Sequence, residues 1–440
     1  MKRVKVGVIG SGGIFQIAHL PAYPDVEEAK LVALCDISED ALKTAERRTK
    51  KIYLERATKA EEDGKVELAE QLREDVEEIR TYKSVEEMIS KEEIDLADIC
   101  TPTKFHNPLA ITTLKSGVNV MVEKPMARTY LECLDVVEAV KDSGKLYQHN
   151  ENWLYDPIWY NVKKLIESGV IGELQLVFVA TAHGGPEWAS WFWDPEIAGG
   201  GALLDNGVHA ITASWFLNGF EKRPTVVKAA EPYGICIRMK TRVLQGMFKP
   251  FVVEDDAHVL IRYEDESGAW STAHVEGSWS HRDSMETRMV GTNGEIQPSE
   301  EDEEWVLRIV DAFGRVRKIP LGKRSWIMSF PGEIRNMCNC VINGVKPLCD
   351  ENIGAETTAI VQAAYLSQKR GKKAVTLDEF KDYALRLREK EGKDAPKELL
   401  KDLLEAIKVY SKTGQSASMR QFGRVACPIV DDVSTQRTSR

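Results

Sequence analysis

The fold of this chain is decided by its opening stretch, Val4-Lys-Val-Gly-Val-Ile9-Gly10-Ser-Gly12-Gly13-Ile14. A β-branched run breaks into a glycine turn, and a helical pattern follows it. A strand, a tight glycine turn and a helix start form the geometry in which a pyrophosphate rests on free backbone N–H groups. The sixth position of this fingerprint, normally Gly or Ala, is Phe15, so the match is incomplete. The first candidate cofactor-binding residues are Gly10, Gly12, Gly13 and Ile14.

A second strand pattern ends in an acidic residue. The run Leu31-Val-Ala-Leu-Cys35-Asp36 lies about 20 residues or slightly more beyond the turn, the spacing at which an acid binds the adenosine ribose. Asp36 can accept hydrogen bonds from the ribose diol and repel a 2′-phosphate, and Ile37 supplies no positive charge. The pattern predicts NAD rather than NADP as cofactor. The alternative is a solvated acid at the end of a strand.

The remaining pattern predicts two sheets. Strands at 94–100 and 145–149 alternate with helices such as 131–141, which indicates a doubly wound parallel sheet. After residue 153, β-rich segments at 174–181, 257–263, 270–279, 287–290, 305–310 and 316–319 follow one another, several across short turns. This order favours an open, mostly antiparallel sheet with helices on one face. The predicted class is α/β: an N-terminal Rossmann domain, then a C-terminal α+β domain.

Three regions are predicted along the chain. Residues 1–125 form the NAD-binding domain, residues 126–380 a substrate and oligomerisation domain, and residues 381–440 a helical extension with a polar tail. The first region carries a charged helical insertion at about 40–80, either a solvated arm or a partner-binding arm, with Leu68, Leu72 and Ile79 on a narrow apolar stripe. An amphipathic helix at 396–410 is expected to pack on its own subunit or on a neighbour.

Two further segments carry chemistry. The strand pattern at 118–122 ends in Glu123-Lys124-Pro125, and the carboxyl ends of strands in a doubly wound sheet are where ligands bind. A lysine there can stay charged and polarise a substrate oxygen, or lose its proton in a desolvated site. In the glycine-rich segment 199–209, Asp205 precedes His209 by four residues, which on an α-helix predicts a hydrogen bond that orients the imidazole. The alternative is an ordinary Asp/His pair after a flexible loop.

Together these motifs resemble the glucose-fructose oxidoreductase, inositol dehydrogenase and rhizopine-catabolism (Gfo/Idh/MocA) family, from Val4 to about Phe380. The motifs in question are the glycine turn followed by His19-Leu20-Pro21, the Thr101-Pro102 segment with His106, the Glu123-Lys124-Pro125 triplet and the segment ending in Asp205 and His209. The departures are Phe15 and the stretch 150–153, where relatives often have an arginine.

The resemblance implies NAD(P)-dependent oxidation of a hydroxyl, or reduction of a ketone, on a sugar, cyclitol or related polyol. It implies catalytic roles for Lys124, Asp205 and His209, and either the lysine or the histidine can be the base. It also places a subunit interface on the open face of the second sheet, so a homodimer or homotetramer is expected. The cofactor-binding residues it adds are Thr101, Pro102, His106, Glu123 and Lys124.

Aromatic residues give the best indication of the substrate. Trp188, Trp191 and Trp193 precede the triple glycine, beside His183 and Asp194. Aromatic faces stack on the C–H surface of a pyranose while polar neighbours bind its hydroxyls, although tryptophan also fills cores. His258 and His274 are expected to be packed or solvent-facing. The predicted substrate-binding residues are Asn152, His183, Trp191, Trp193 and His281, and Trp279 is a further candidate on the same reasoning.

Composition excludes several classes of protein. A net charge of −10 over 440 residues argues against nucleic acid or an anionic membrane as a partner. Eight cysteines without a Cys-x-x-Cys pair predict reduced thiols in a cytoplasmic protein, with no metal site. No apolar run approaches the ~18 residues of a spanning helix.

Three functions remain open from the sequence. The first is an NAD-dependent sugar or cyclitol dehydrogenase. The second retains NAD and uses transient oxidation to assist glycoside cleavage or epimerisation, so that no NADH accumulates. The third is a non-catalytic NAD-binding sensor, which the presence of all three of Lys124, Asp205 and His209 disfavours.

Overall fold

The computed structural model describes residues 3–231, 234–239, 241–244, 247–250, 252–281 and 285–409. The predicted polar tail beyond residue 409 lies outside these residues. Among the helices of the described part, none combines the length and the apolar character needed to cross a membrane. The seven cysteines of that part are buried free thiols.

The N-terminal sheet has six parallel strands in the order β3-β2-β1-β4-β5-β6. Its interior positions, such as Val6, Val8 and Val120, are fully buried, as expected for a parallel sheet covered by helices on both faces. The order reverses at β1 and β4, so their carboxyl ends open a crevice. The sixth strand lies beyond residue 125, where the sequence put the end of the first domain. The strands are β1 Val4–Ile9, β2 Ala29–Cys35, β3 Arg80–Tyr82, β4 Leu96–Ile99, β5 Asn119–Glu123 and β6 Tyr147–Asn150.

The insertion is a helical hairpin that packs on its own domain. Helices Glu39–Glu62 and Val66–Glu78 meet at Gly64, whose φ is +78°. Their buried side chains, including Tyr53 and Leu72, belong to the same core cluster as β1. The hairpin is therefore tied to the first sheet along much of its length. The other α-helices of this domain are Leu20–Ala22, Val85–Lys91, His106–Lys115 and Tyr130–Ser143.

The C-terminal sheet follows the path β17-β16-β15-β14-β7-β13-β12-β8-β18, with β9 beside β12 and β19 beside β9. Neighbouring strands are antiparallel except for the pairs β7–β13 and β9–β19. The predicted fold class is confirmed. The strands are β7 Leu174–Ala182, β8 Arg223–Ala229, β9 Ile235–Ile237, β10 Thr241–Leu244, β11 Met247–Pro250, β12 Asp256–Glu264, β13 Trp270–Ser278, β14 Arg288–Gly291, β15 Gly294–Glu301, β16 Glu304–Asp311, β17 Val316–Gly322, β18 Val375–Thr376 and β19 Lys408–Val409, of which β10 and β11 form a separate hairpin.

Helices cover one face of this sheet. Val208–Leu217 lies against β7 and β13, and Glu351–Lys369 lies against β8. Helix Ala395–Leu404 buries Leu399, Leu400 and Leu403 against the same subunit, as the amphipathic pattern allowed. The remaining α-helices of this domain are Pro157–Glu167, Pro195–Ala198, Phe330–Asn343 and Leu377–Glu391.

Candidate active site

A cavity of about 550 Å³ lies where the carboxyl ends of β1, β4 and β5 face the second domain. It brings together residues from segments that are far apart in the sequence. The crevice of the first sheet is thus continuous with the segment that carries Asp205. The predicted catalytic, cofactor-binding and substrate-binding residues that line the cavity are Gly12, Gly13, Ile14, Thr101, Pro102, His106, Glu123, Lys124, Asn152, His183, Trp191, Asp205 and His209.

Lys124 follows β5 and reaches into the second domain. Its Nζ donates to Asp205 Oδ1 at 2.7 Å and to the Asp205 carbonyl oxygen at 3.0 Å. Burial opposes the charged ammonium, but the Asp205 carboxylate outweighs this and raises the pKa of Lys124. Burial likewise opposes an ionised Asp205, yet Lys124 holds the pKa of Asp205 below its usual range. The pair is therefore ionised at neutral pH, and one ammonium N–H is left over for a ligand.

The prediction that Asp205 orients His209 is wrong. Residues Leu203–Gly207 form a π-helical turn with i→i+5 bonds, so a spacing of four residues does not align side chains as in an α-helix. His209 Nδ1 instead donates to Glu151 Oε1 at 2.6 Å, and the Glu151 side chain is fully buried. The second oxygen of Asp205 accepts from Trp279 Nε1 at 3.1 Å. Because Nδ1 carries the donated proton, Nε2 is the basic nitrogen of the neutral ring.

Glu151 is the main residue that sequence reasoning missed. It comes directly after β6, at the same sheet edge as Lys124, so the rule that singled out Lys124 could have found it. Its neighbour Trp153 stacks on the His209 ring, with centroids 5.3 Å apart and planes 11° apart. The stretch 150–153, a departure from the family pattern, thus holds and covers the histidine.

The glycine turn leaves open space beside the cavity. Gly10 has φ +92°, and a Cβ there would lie 2.7 Å from Thr101 Cγ2. A Cβ on Gly12 or Gly13 would meet nothing within 4 Å. Gly10 therefore serves the close packing of β1 against β4, whereas Gly12 and Gly13 face a cradle that a ligand can enter. The incomplete fingerprint at Phe15 coincides with a π-helical turn, Phe15–His19, in which the Phe15 side chain is buried.

Asp36 lies at the end of β2, beyond the lining of the cavity. Its Oδ2 accepts the Ser11 N–H at 2.9 Å, and its Oδ1 accepts the Ser38 N–H at 2.8 Å. Each carboxylate oxygen keeps a lone pair for a further donor. Ile37 beside it is 89% exposed. The carboxylate is thus fixed next to the glycine turn, with an apolar neighbour.

The ends of β4 and β5 are joined by His106. Its ring nitrogens lie 2.7 Å from the Thr101 carbonyl oxygen and 2.8 Å from that of Pro125. The Lys124–Pro125 peptide bond is cis. These contacts fix the two turns that flank Lys124.

Glu123 joins a buried cluster through one carboxylate oxygen, while its other oxygen accepts the Lys124 backbone N–H at 3.1 Å. His19 Nε2 lies 2.7 Å from Glu123 Oε1, and His19 Nδ1 lies 2.8 Å from Asp98 Oδ2. Burial opposes the charged ring, but Asp98 outweighs it and raises the pKa of His19 well above its usual range. Metal-ligand spacing occurs here among the described residues, although both ring nitrogens already bond carboxylates. Hydrogen bonding accounts for this cluster.

Glu254, outside the cavity, fixes the backbone of the segment that carries Asp205. Glu254 Oε1 accepts the N–H groups of Gly201 at 3.0 Å and Leu203 at 3.1 Å, and the Tyr365 hydroxyl at 2.6 Å. Burial raises the pKa of Glu254 to about 7. A Cβ on Gly201 would lie 1.9 Å from the Glu254 carbonyl oxygen, which explains the glycine. The position of Asp205 thus depends on a carboxyl group outside the cavity.

Polar groups line the substrate side of the cavity. Gly185 N–H donates to His183 Nδ1 at 2.9 Å, so His183 Nε2 donates to Asn206 Oδ1 at 3.1 Å. Asn152 Nδ2 donates to Ser329 Oγ at 2.8 Å. These bonds orient side chains that can meet sugar hydroxyls.

Three predicted substrate contacts, Trp193, Trp279 and His281, lie outside the lining. Trp193 is buried, donates to the Pro186 carbonyl oxygen at 3.2 Å and packs on Trp279 with ring centroids 4.7 Å apart. His281 Nε2 lies 2.9 Å from the buried Asp256 Oδ1. Trp193 is therefore a core residue packed behind the cavity lining. His281 belongs to a polar cluster on the second sheet.

Comparisons with known proteins agree with this architecture. D-Glucoside 3-dehydrogenase of Escherichia coli is 24% identical over 222 residues, which cover 49% of this chain and 54% of that protein. The chain therefore spans about half the length of this relative. D-Apiose dehydrogenase of Paraburkholderia graminis is 24% identical over 390 residues, 84% of this chain and 89% of that protein. The structure of levoglucosan dehydrogenase with NADH and levoglucosan superposes with a TM-score of 0.67 at 21% identity, covering 86% of this chain and all of that one.

Two family models match most of the chain. Residues 4–151 match the oxidoreductase family with an NAD-binding Rossmann fold, and residues 163–377 match the C-terminal alpha/beta domain of the same family. The first match ends just after β6, and the second covers the large sheet and its helices. The chain therefore belongs to the Gfo/Idh/MocA family of NAD-binding oxidoreductases.

Proposed function

We propose that the protein is an NAD-dependent dehydrogenase that oxidises a CH–OH group of a sugar or related polyol, or reduces the corresponding ketone. The observation that supports this most strongly is the meeting of a charged lysine, Lys124, and an oriented histidine, His209, in one cavity beside the glycine turn. Relatives named for D-glucosides and D-apiose support a sugar as the substrate class.

The first domain fits the cofactor. The open space at Gly12 and Gly13 suits a pyrophosphate on backbone N–H groups, and the fixed Asp36 carboxylate suits a ribose diol. We assign Thr101, Pro102, His106, Glu123 and Lys124 to the nicotinamide side. NAD, when bound, accepts the hydride in the oxidative direction.

His209 is the proposed general base. Its Nδ1–H is held by Glu151, so Nε2 is available to take the substrate hydroxyl proton. Glu151 then stabilises the imidazolium that forms, because the two groups become an ion pair with a fully buried carboxylate. In the reverse direction the same nitrogen returns the proton.

Lys124 is the proposed electrostatic partner of the reacting oxygen. Asp205 outweighs burial and raises the pKa of Lys124, which favours the protonated ammonium and supports the assignment of His209 rather than Lys124 as the base. Its remaining N–H donates to the oxygen that gains negative charge as the proton leaves. Asp205 keeps the ammonium in position through two hydrogen bonds.

Substitution of Lys124 tests this function. Lys124→Ala should lower kcat by roughly 10²–10⁴-fold, the range for loss of a positioned acid/base group, while the affinity for NAD is nearly retained. Lys346→Ala, which removes an ion pair with Asp350 outside the cavity, is the matched control. Turnover of Lys124→Ala at the wild-type rate would overturn the assignment.

Stoichiometry separates this function from retained-cofactor chemistry. A panel of sugars, inositols and glycosides should yield NADH and oxidised product in equal amounts. Product without NADH would favour redox-assisted glycoside cleavage or epimerisation. Binding of NAD without turnover of any member would favour a sensor.

We also propose a homo-oligomer formed through the open face of the second sheet. Residues paired across β7 and β13, such as Leu176 with Thr272 and Phe178 with His274, share the face away from the covering helices. Leu176 is 39% exposed. Sedimentation of the protein as a single monomeric species would contradict this proposal.

A further inference from the structure

Aromatic side chains lead from the Asp205 carboxylate to the surface. Trp279 donates to Asp205 Oδ2 and is fully buried. Phe192 meets Trp279 edge-on at 6.2 Å, and Trp188 meets Phe192 edge-on at 5.8 Å. Trp188 is 71% exposed, although it lines the cavity. A row of aromatic rings therefore runs from the buried indole of Trp279, behind Asp205, through Phe192 to the solvent-exposed indole of Trp188 in the cavity lining.

A second aromatic group lines the cavity from another segment. Trp326 is 48% exposed and packs edge-on against Phe330, with ring centroids 5.6 Å apart. Ile17, just after the glycine turn, lines the same cavity and is 52% exposed. Single exposed apolar residues are common, but several around one opening mark a surface that a ligand covers.

The charges of the lining point to a neutral ligand. Among the described residues that line the cavity, Lys124 is the only lysine or arginine, and it is already paired with Asp205. The two carboxylates of the lining, Glu123 and Asp205, are already bonded to His19 and Lys124 respectively. A phosphate ester or a uronic acid would therefore bring an anion toward carboxylates without a free cation to bind it. An uncharged glycoside meets no such electrostatic repulsion.

We propose that the cavity takes a neutral glycoside with an aromatic aglycone, the sugar ring on the polar residues around Lys124 and His209, and the aglycone against Trp188 and Trp326. This inference rests on the proposed function and names its substrate class. Part of the cavity of about 550 Å³ is assigned to the cofactor, which leaves the exposed side of the cavity, with Trp188 and Trp326, for the aglycone. Offset or edge-on contact between aromatic rings favours an aryl group over an alkyl group of similar size.

The test compares methyl and phenyl β-glycosides of glucose, galactose, mannose and xylose. Dissociation constants are measured by tryptophan fluorescence on NADH-loaded protein, and turnover is measured separately with NAD. For at least one sugar, the phenyl glycoside should bind about 10–100-fold more tightly than the methyl glycoside. Trp188→Ala and Trp326→Ala should each lower this ratio about threefold to tenfold, and Trp188→Phe should restore most of it. Phe313→Ala, at an 84% exposed position outside the lining, should leave the ratio unchanged.

Binding tests the aglycone subsite, whereas turnover tests the dehydrogenase function, so the two proposals can fail independently. Phenyl and methyl constants within threefold of each other for every sugar, or no binding of any pair, would overturn the aglycone subsite. A phenyl preference that Trp188→Ala and Trp326→Ala leave intact would also overturn it. A phenyl preference lost in these variants supports the subsite even when no glycoside is oxidised, and that absence of oxidation would count against the dehydrogenase alone.

Discussion

Replacement of Glu151 by Gln tests the pairing that distinguishes this site from its sequence-based prediction. The carboxylate accepts from His209 Nδ1 at 2.6 Å inside a fully buried position. Gln retains an acceptor but loses the charge that stabilises the imidazolium. Hydrogen bonds to charged groups are worth ~1.5–3 kcal/mol, and a tenfold change in rate corresponds to ~1.4 kcal/mol. We therefore expect kcat to fall roughly 10- to 150-fold, with the KM for NAD nearly unchanged.

The assay combines steady-state kinetics with NMR of the His209 ring. Glu351→Gln is the matched control, because Glu351 is also buried and paired, with Lys346, outside the cavity. The His209 ring signals should move in Glu151→Gln and stay nearly constant in Asp205→Asn. A wild-type kcat for Glu151→Gln, with His209 signals that respond only to Asp205→Asn, would refute the pairing.

Two further predictions concern the cofactor and stability. The wild-type protein should prefer NAD over NADP by at least about tenfold in kcat/KM, which requires ~1.4 kcal/mol. Asp36→Ser should narrow this ratio, mainly by weakening the binding of NAD. Equal kcat/KM values for the two cofactors in the wild-type protein would contradict the prediction. Burial raises the pKa of Glu254 from 4.5 to about 7. The protonated carboxyl group therefore contributes to stability below pH 4.5, and this contribution is lost as the pH rises through 7. At about 1.36 kcal/mol per pKa unit, the loss is at most about 3 kcal/mol. The melting temperature of Glu254→Gln, relative to that of the wild type, should therefore rise between pH 5 and pH 8. A difference in melting temperature that stays constant across this range would contradict the prediction.

Local patterns predicted five of the six strands of the first sheet, and the short, mostly exposed β3, Arg80–Tyr82, was missed. The β-branched run before the glycine turn and the alternation of strands and helices predicted the parallel sheet, because each strand buries both faces and reads as a continuous apolar run. Lys124 was found because carboxyl ends of parallel strands share one edge of the sheet. Strand β15, Gly294–Glu301, was missed because its sequence is largely polar. The antiparallel backbone pairing of β15 with β14 and β16 holds this strand in the sheet despite its polar side chains.

The sequence by itself determined the fold class, the family and the presence of Lys124, Asp205 and His209 at one site. Only the tertiary structure decided which groups pair. The π-helical turn Leu203–Gly207 removes the helical spacing on which the Asp205–His209 bond was predicted. Lys124 then meets Asp205 across 81 residues, and Glu151 meets His209 across 58. Hydrogen-bond partners of buried charges are selected by proximity in space, because each must be satisfied where the chain places it.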